Sequence, residues 1–364
     1  MAIIHEASKE ITCKVVYHGT GMCGKTTSLM FLNGHLPEHQ RGRFISLETP
    51  TERTLYFDFL PVITEARGYK FRYLLFTTPG QDYYEASRKL VLKGADGLVL
   101  VVDSHRSRLH ENISSFQLLY KNLAEMEQKP ELLPTVFQYN KRDLADIIPL
   151  DEAEKRFNPG NFPSFPAIAR TGQGVYETFL TIARKSLAKL TSPEGESRMG
   201  SLFRSTVVTA EDDTAFSAIL ERLNRDSGSF GSMLVDESSG SIARYGEIPA
   251  KDFESMGALL ACNFTAAQEL SFNLSRTGFT GIVQKGPQWS MMASRVDARR
   301  FMVVFYPADR DPQQFRAVLA TTRRSLATAL AGVDSRSQAR LRAFAQVFST
   351  VNRIAVSSLG GGAG

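Results

Sequence analysis

The most constraining stretch of the chain is Gly19-Thr20-Gly21-Met22-Cys23-Gly24-Lys25-Thr26, which fits the pattern G-x-x-x-x-G-K-[S/T]. It stands between an apolar, strand-like run (11–17) and a helical pattern. A strand that turns through glycines into a helix commits the chain to a βα unit, the context in which such a loop cradles phosphate. The first N–H groups of a helix have no internal partners, so they are free to wrap an anion. On this reading Gly19, Gly21, Met22, Cys23 and Gly24 line the cradle. Lys25 reaches the β- and γ-oxygens, Thr26 gives its hydroxyl to Mg²⁺, and Thr27 completes the lining. The competing reading is a glycine-rich turn with no ligand.

Further apolar runs at 55–60, 71–76, 97–102, 136–139 and 167–169 alternate with helical stripes. Ile113, Phe116, Leu119 and Leu123 form one stripe, and Val175, Phe179 and Ile182 form another. Gly34 sits where a helix-terminating glycine belongs. Strands interleaved with helices predict an α/β domain with a mostly parallel sheet over 1–190. The segment 191–200, rich in Ser, Pro, Gly and charge, reads as a linker. Met199 within it is read as an ordinary residue or as the relic of a separate start codon. Beyond it the order is α-β-β-α-β-β-β-α. It predicts a second α/β domain over 201–335, with Asp311-Pro312 opening a helix that Gly332 ends. A C-terminal helix and tail follow over 336–364.

Two more motifs narrow the ligand. Asn140-Lys141-Arg142-Asp143 follows the run at 135–139. An Asp carboxylate accepts two hydrogen bonds from the guanine edge, and adenine has no matching donor pair. Thr77-Thr-Pro-Gly80-Gln81 ends the 71–76 run. Together with the phosphate loop these segments resemble the Ras-like GTPases. The resemblance implies GTP and GDP as ligands and phosphoryl transfer to water as the reaction. It implies that Asn140, Lys141 and Asp143 read the base, with Ala169 in the loop that backs it. Gly80 would meet the γ-phosphate and Gln81 would orient the attacking water. The departure is Thr77, where that family carries an Asp that holds a Mg²⁺-bound water.

The segment Glu52-Arg53-Thr54-Leu-Tyr-Phe-Asp-Phe-Leu-Pro61, the Asp-to-Thr change and Pro79-Gly80-Gln81 resemble one branch more closely, the MglA family of bacterial Ras-like GTPases. That resemblance covers 1–190 and implies a role in cell polarity or gliding motility. It makes Thr54 a second Mg²⁺ ligand and Arg53 an arginine finger supplied in cis. A guanidinium there neutralises charge that develops between the β- and γ-phosphates. The second part is similar in element order to roadblock domains of the MglB type, which regulate that GTPase. This implies a homodimer through the second domain and regulation of hydrolysis or exchange, within or between chains. A PAS-like sensor is the competing fold, although the second half holds no histidine.

Composition excludes other classes. Three scattered cysteines imply no disulfide framework, and no apolar run reaches the length of a membrane span. A net charge of +5, spread over both halves, argues against nucleic acid as partner. A cytoplasmic location is expected, with polar or membrane-proximal placement included. Unidentified effector proteins complete the partner set. His35 and His39 lack the surroundings of a metal site, and Cys23 reads as packing. Arg336, Arg340, Arg342 and Arg353 put a basic face on the last helix, read as docking against a neighbour. The rival to a GTPase is an adaptor that binds GTP, hydrolyses it negligibly and recruits partners. It rests on the missing carboxylate at 77.

Overall fold

The computed structural model describes residues 2–48, 54–66, 68–80, 85–128, 130–190, 206–237, 240–248, 253–275 and 279–355. The expected linker at 191–200 lies outside them. The chain packs as two compact units. One begins at Thr12; the other joins Ile3–Ile11 to the later part of the chain as far as Leu341.

In the first unit β2 (Glu10–His18) runs to the phosphate loop and α1 (Lys25–His35) leaves it. β3 (Ile45–Glu48), β4 (Thr54–Ala66) and β5 (Tyr69–Thr77) form an antiparallel ribbon. Next come α2 (Glu85–Leu92), β6 (Gly97–Asp103), α3 (Leu109–Glu125), β7 (Thr135–Asn140), α4 (Leu150–Phe157), β8 (Ser164–Pro166) and α5 (Val175–Leu190). The sheet order is β3-β4-β5-β2-β6-β7-β8, with parallel pairing from β2 through β6 and β7 to β8. Every residue of β6 is buried, which is why it reads as an unbroken apolar run rather than an alternating one.

Three local expectations are corrected. Gly34 does not end α1: it lies in the last turn, and Leu36 caps the helix with its N–H on the Leu32 carbonyl. Ile113 is exposed on α3, whereas Phe116, Leu119 and Leu123 are buried. The strand placed at 167–169 is β8, three residues earlier: the Ala167 N–H still bonds the Tyr139 carbonyl, but the Ile168 N–H goes to the Gln173 carbonyl and the Ala169 N–H to the Asn140 side chain, which starts a loop.

The second unit starts with β9 (Thr206–Val208) and α6 (Ala210–Ser227). A capping box opens α6: the Thr209 hydroxyl accepts from Asp212 N–H, and the Asp212 carboxylate accepts from Thr209 N–H. β10 (Gly231–Asp236), β11 (Gly240–Gly246), α7 (Phe253–Ser275), β12 (Gly281–Lys285), β13 (Trp289–Arg295), β14 (Arg300–Pro307) and α8 (Arg316–Ala355) follow. The sheet is antiparallel in the order β11-β10-β14-β13-β12. Its two-residue side-chain period sorts the core into two layers. Leu234, Met302, Val304 and Tyr306 meet Phe216 and Leu220 of α6 and Leu326 and Leu330 of α8. Met233, Val235, Phe301, Val303 and Phe305 meet Leu260 and Phe264 of α7. The stop at Gly332 is a further correction, since α8 runs through it for 40 residues. A glycine inside a helix costs about 1 kcal/mol, and buried Leu326, Leu330 and Val333 around it offset that.

Candidate functional site

The loop 19–24 lies between the end of β2 and the start of α1. Gly24 has φ +104°, and a Cβ there would stand 2.0 Å from the Asn140 side-chain amide. Glycine is therefore demanded twice, by the left-handed backbone and by the close approach. Met22, also at positive φ, is exposed, and Cys23 beside it is buried, as packing requires. Lys25 is buried, and its ammonium donates to the Gly19 and Thr20 carbonyls at 2.9 and 2.7 Å. The charge is thus held at the mouth of the loop, beside the unpaired N–H groups at the start of α1. Thr27, two residues along the helix from Lys25, is exposed.

Asn140 ends β7 and joins two loops. Its amide donates to the Cys23 carbonyl at 2.7 Å, and its carbonyl accepts from Ala169 N–H at 2.8 Å. This one side chain locks the phosphate loop to the loop that carries Ala169. Lys141, at positive φ, pairs with Asp103 at 2.7 Å, and Asp143 lies 3.3 Å from Arg170. Segments more than a hundred residues apart are thereby brought to one end of the sheet.

Gly80 lies directly on the phosphate loop, where a Cβ would come 2.4 Å from the Gly21 Cα. Thr78 is fixed by its N–H on the Tyr17 carbonyl and by a 3.0 Å contact with His18. His18 is fully buried, and burial lowers its pKa to about 3, so the ring is neutral. The Ser115 carbonyl takes its Nε2 hydrogen, which leaves Nδ1 to accept from Thr78. Arg108, from the loop after β6, donates to the Gly21 carbonyl at 3.2 Å.

Three expected site residues fall at the edge of what is described. Arg53 and Gln81 lie outside the described residues. Thr54 opens β4, paired with Glu48 of β3, and its side chain lies outside the description. Among the described residues no cluster of three His, Cys, Asp or Glu side chains could hold a metal by itself, His35 and His39 included. His35 instead stacks on Phe31.

The sequence reading missed Asp58. This residue is fully buried at the centre of β4, and its carboxylate accepts from the hydroxyls of Thr26 (2.5 Å), Ser46 (2.6 Å) and Thr77 (2.7 Å). Its own N–H donates to the Thr77 hydroxyl at 2.8 Å. A carboxylate is therefore present beside Thr26, reached from β4 instead of β5. The signal was legible: an Asp in the middle of Leu55-Tyr-Phe-Asp-Phe-Leu60 is a charge in an apolar strand, which is buried only with partners. Hard oxygen ligands and a nearby carboxylate suit Mg²⁺, which keeps waters and takes its remaining oxygens from phosphates. The residues fit that ion.

Comparison with known proteins agrees with this geometry. A family model described as the Ras family matches residues 14–188. Mutual gliding-motility protein MglA of Myxococcus xanthus is 46% identical over 191 residues, covering 52% of this chain and 98% of that protein. Ras-related protein RABG3f of Arabidopsis thaliana is 26% identical over 179 residues, covering 48% of this chain and 82% of that protein. Among solved structures, Myxococcus xanthus MglB aligns with 33% of this chain and 97% of its own, at 22% identity and a TM-score of 0.31.

Proposed function

From a chain that belongs to the Ras family of GTPases, we propose a GTP-hydrolysing switch of the MglA kind, carrying its own roadblock-type regulator. The observation that carries the nucleotide assignment is Asn140, which bonds the phosphate loop and the Ala169 loop at once. Such a residue holds a phosphate cradle and a base pocket at fixed separation.

The roles follow from the residues. Loop N–H groups and Lys25 hold the β- and γ-phosphates. The Thr26 and Thr54 hydroxyls would hold Mg²⁺, and Asp58 orients the Thr26 hydroxyl through its hydrogen bond. When bound, the ion would supply positive charge against the β- and γ-oxygens. Gln81 positions the attacking water, and Arg53 spreads its guanidinium over charge that develops in the transition state. Asp143 accepts from the guanine edge, and Lys141, pinned by Asp103, belongs to the same base-reading loop. The Asp58 carboxylate favours a hydrolysing switch over a non-hydrolysing adaptor, since a carboxylate missing at Thr77 is supplied from the neighbouring strand.

The second unit is the regulator, on the grounds of its element order and its antiparallel five-stranded sheet with helices on both faces. It dimerises and alters hydrolysis or exchange on the first unit. A role in cell polarity or gliding motility, with effectors that read the nucleotide state, follows from the MglA likeness. No described helix is long and apolar enough to cross a membrane, which accords with a cytoplasmic, polar or membrane-proximal site of action.

The test is single-turnover GTP hydrolysis by the full chain across a range of protein concentrations, with ATP as the control nucleotide. Hydrolysis of GTP alone supports the switch, and a rate that climbs with concentration assigns the regulation to the dimer. A concentration-independent rate assigns it to the single chain. Binding without turnover returns the adaptor reading.

A further inference from the structure

The first residues of the chain pack with the second unit. β1 (Ile3–His5) runs parallel to β9, in the register Ile3 to Thr206, Ile4 to Val207 and His5 to Val208. The Glu6 N–H extends the ladder onto the Val208 carbonyl at 2.8 Å. Ile3 is 2% exposed and belongs to the core layer of Val208, Phe216, Leu220, Leu330 and Val333. Two polar contacts flank it, His5 to Asp213 of α6 at 3.8 Å and Glu6 to Arg340 of α8 at 3.5 Å. On the far side of β9, the Val207 N–H donates to Ser337 of α8 at 2.9 Å.

We infer that the chain's N-terminal segment is a docking strand that completes the second unit. The slot is built from β9, α6 and α8, and its occupant is residues 2–8 of this same chain. The physical case rests on what the slot lacks without it. β9 has three residues and pairs with β1, which also pairs with β2. A three-residue strand without that neighbour presents an open edge. The space filled by Ile3 would become a cavity in the core, and the Val208 carbonyl would lose its donor. The occupant carries the matching chemistry in order: two isoleucines for the core, then His5 and Glu6 for an acid on α6 and an arginine on α8. The second unit therefore includes a strand from the first residues of the chain, remote in sequence from the rest of it.

The experiment uses the full chain with a protease recognition sequence placed within 191–200. After cutting, the halves should co-elute in gel filtration, held by the docked strand, and a large excess of a synthetic peptide of residues 2–11 should release the second half. The same cut made in a chain lacking residues 2–8, or carrying Ile3→Asp, should separate the halves at once. Guanine-nucleotide binding by the first half shows that it remains folded in each variant. Separation of the unmutated halves on cutting would overturn the inference. Co-elution that survives both deletion of 2–8 and excess peptide would overturn it equally, by showing that other contacts hold the halves together.

Discussion

The Thr77 hydroxyl lies 2.7 Å from the carboxylate of Asp58, which also receives the Thr26 hydroxyl. Strands β4 and β5 are antiparallel neighbours, with Phe59 opposite Phe76, so positions 58 and 77 are cross-strand partners. A negative charge expected at the end of β5 has moved one strand outward, and Thr77 is the hydroxyl that anchors it. A second carboxylate at position 77 would stand against the one at 58 as a like charge, so Thr at 77 matches Asp at 58.

Asp58→Asn should therefore weaken Mg²⁺ binding to the nucleotide-loaded chain by about 10- to 100-fold, the usual loss when a group orienting a metal ligand is removed. The measurement is the Mg²⁺ dependence of the release rate of a fluorescent GDP. Thr77→Asp alone should also impair it through like-charge repulsion, and the double variant Asp58→Thr, Thr77→Asp should recover part of the loss. Additive losses in the double variant would separate the two residues.

Asp143→Asn should relax base choice. A site that hydrogen-bonds its ligand's donors discriminates by about 10⁴–10⁵ against an analogue lacking them, and the amide cannot accept the pair that the carboxylate accepts. Competition of GDP, ADP and xanthosine diphosphate against a fluorescent nucleotide reads this directly. Unchanged preference for GDP would remove Asp143 from the base pocket.

Arg53→Ala should slow single-turnover hydrolysis by about 10³–10⁵, the range attributed to an arginine finger, with GTP affinity little altered. Gln81→Leu should slow it as well while GTP still binds. Normal turnover in the Arg53 variant would mean that the transition-state charge is met by another group.

His18 sets an acid limit on the first unit. Its folded pKa of about 3 lies below the ordinary 6.5 because burial opposes the charged ring. Below pH 6.5 the unfolded chain takes up a proton that the folded chain refuses, so stability falls as pH drops from 6.5 toward 3, by at most about 1.4 kcal/mol per pH unit. Above pH 6.5 this contribution is flat. The non-titrating His18→Gln should give a shallower decline in urea midpoint between pH 6.5 and 4. An identical slope in both proteins would assign the acid sensitivity to other groups.

The sequence by itself determined the phosphate loop, the guanine motif and the alternation of strands and helices. Each rests on neighbours in the chain: a glycine pattern between strand and helix, an apolar run bounded by turns, a capping residue before a stripe. It could not show that an acid on β4 stands in for one expected on β5, because Asp58 and Thr77 meet only when the two strands pair. The continuity of α8 through Gly332 was equally hidden, since a glycine's local preference is outweighed by the core around Leu330 and Val333. Most distant of all is Ile3, which is buried and pairs with Thr206, 203 positions along the chain. A three-residue strand has too few side chains to show a period. Only the tertiary fold, by closing that loop, decided to which unit the chain's first residues belong.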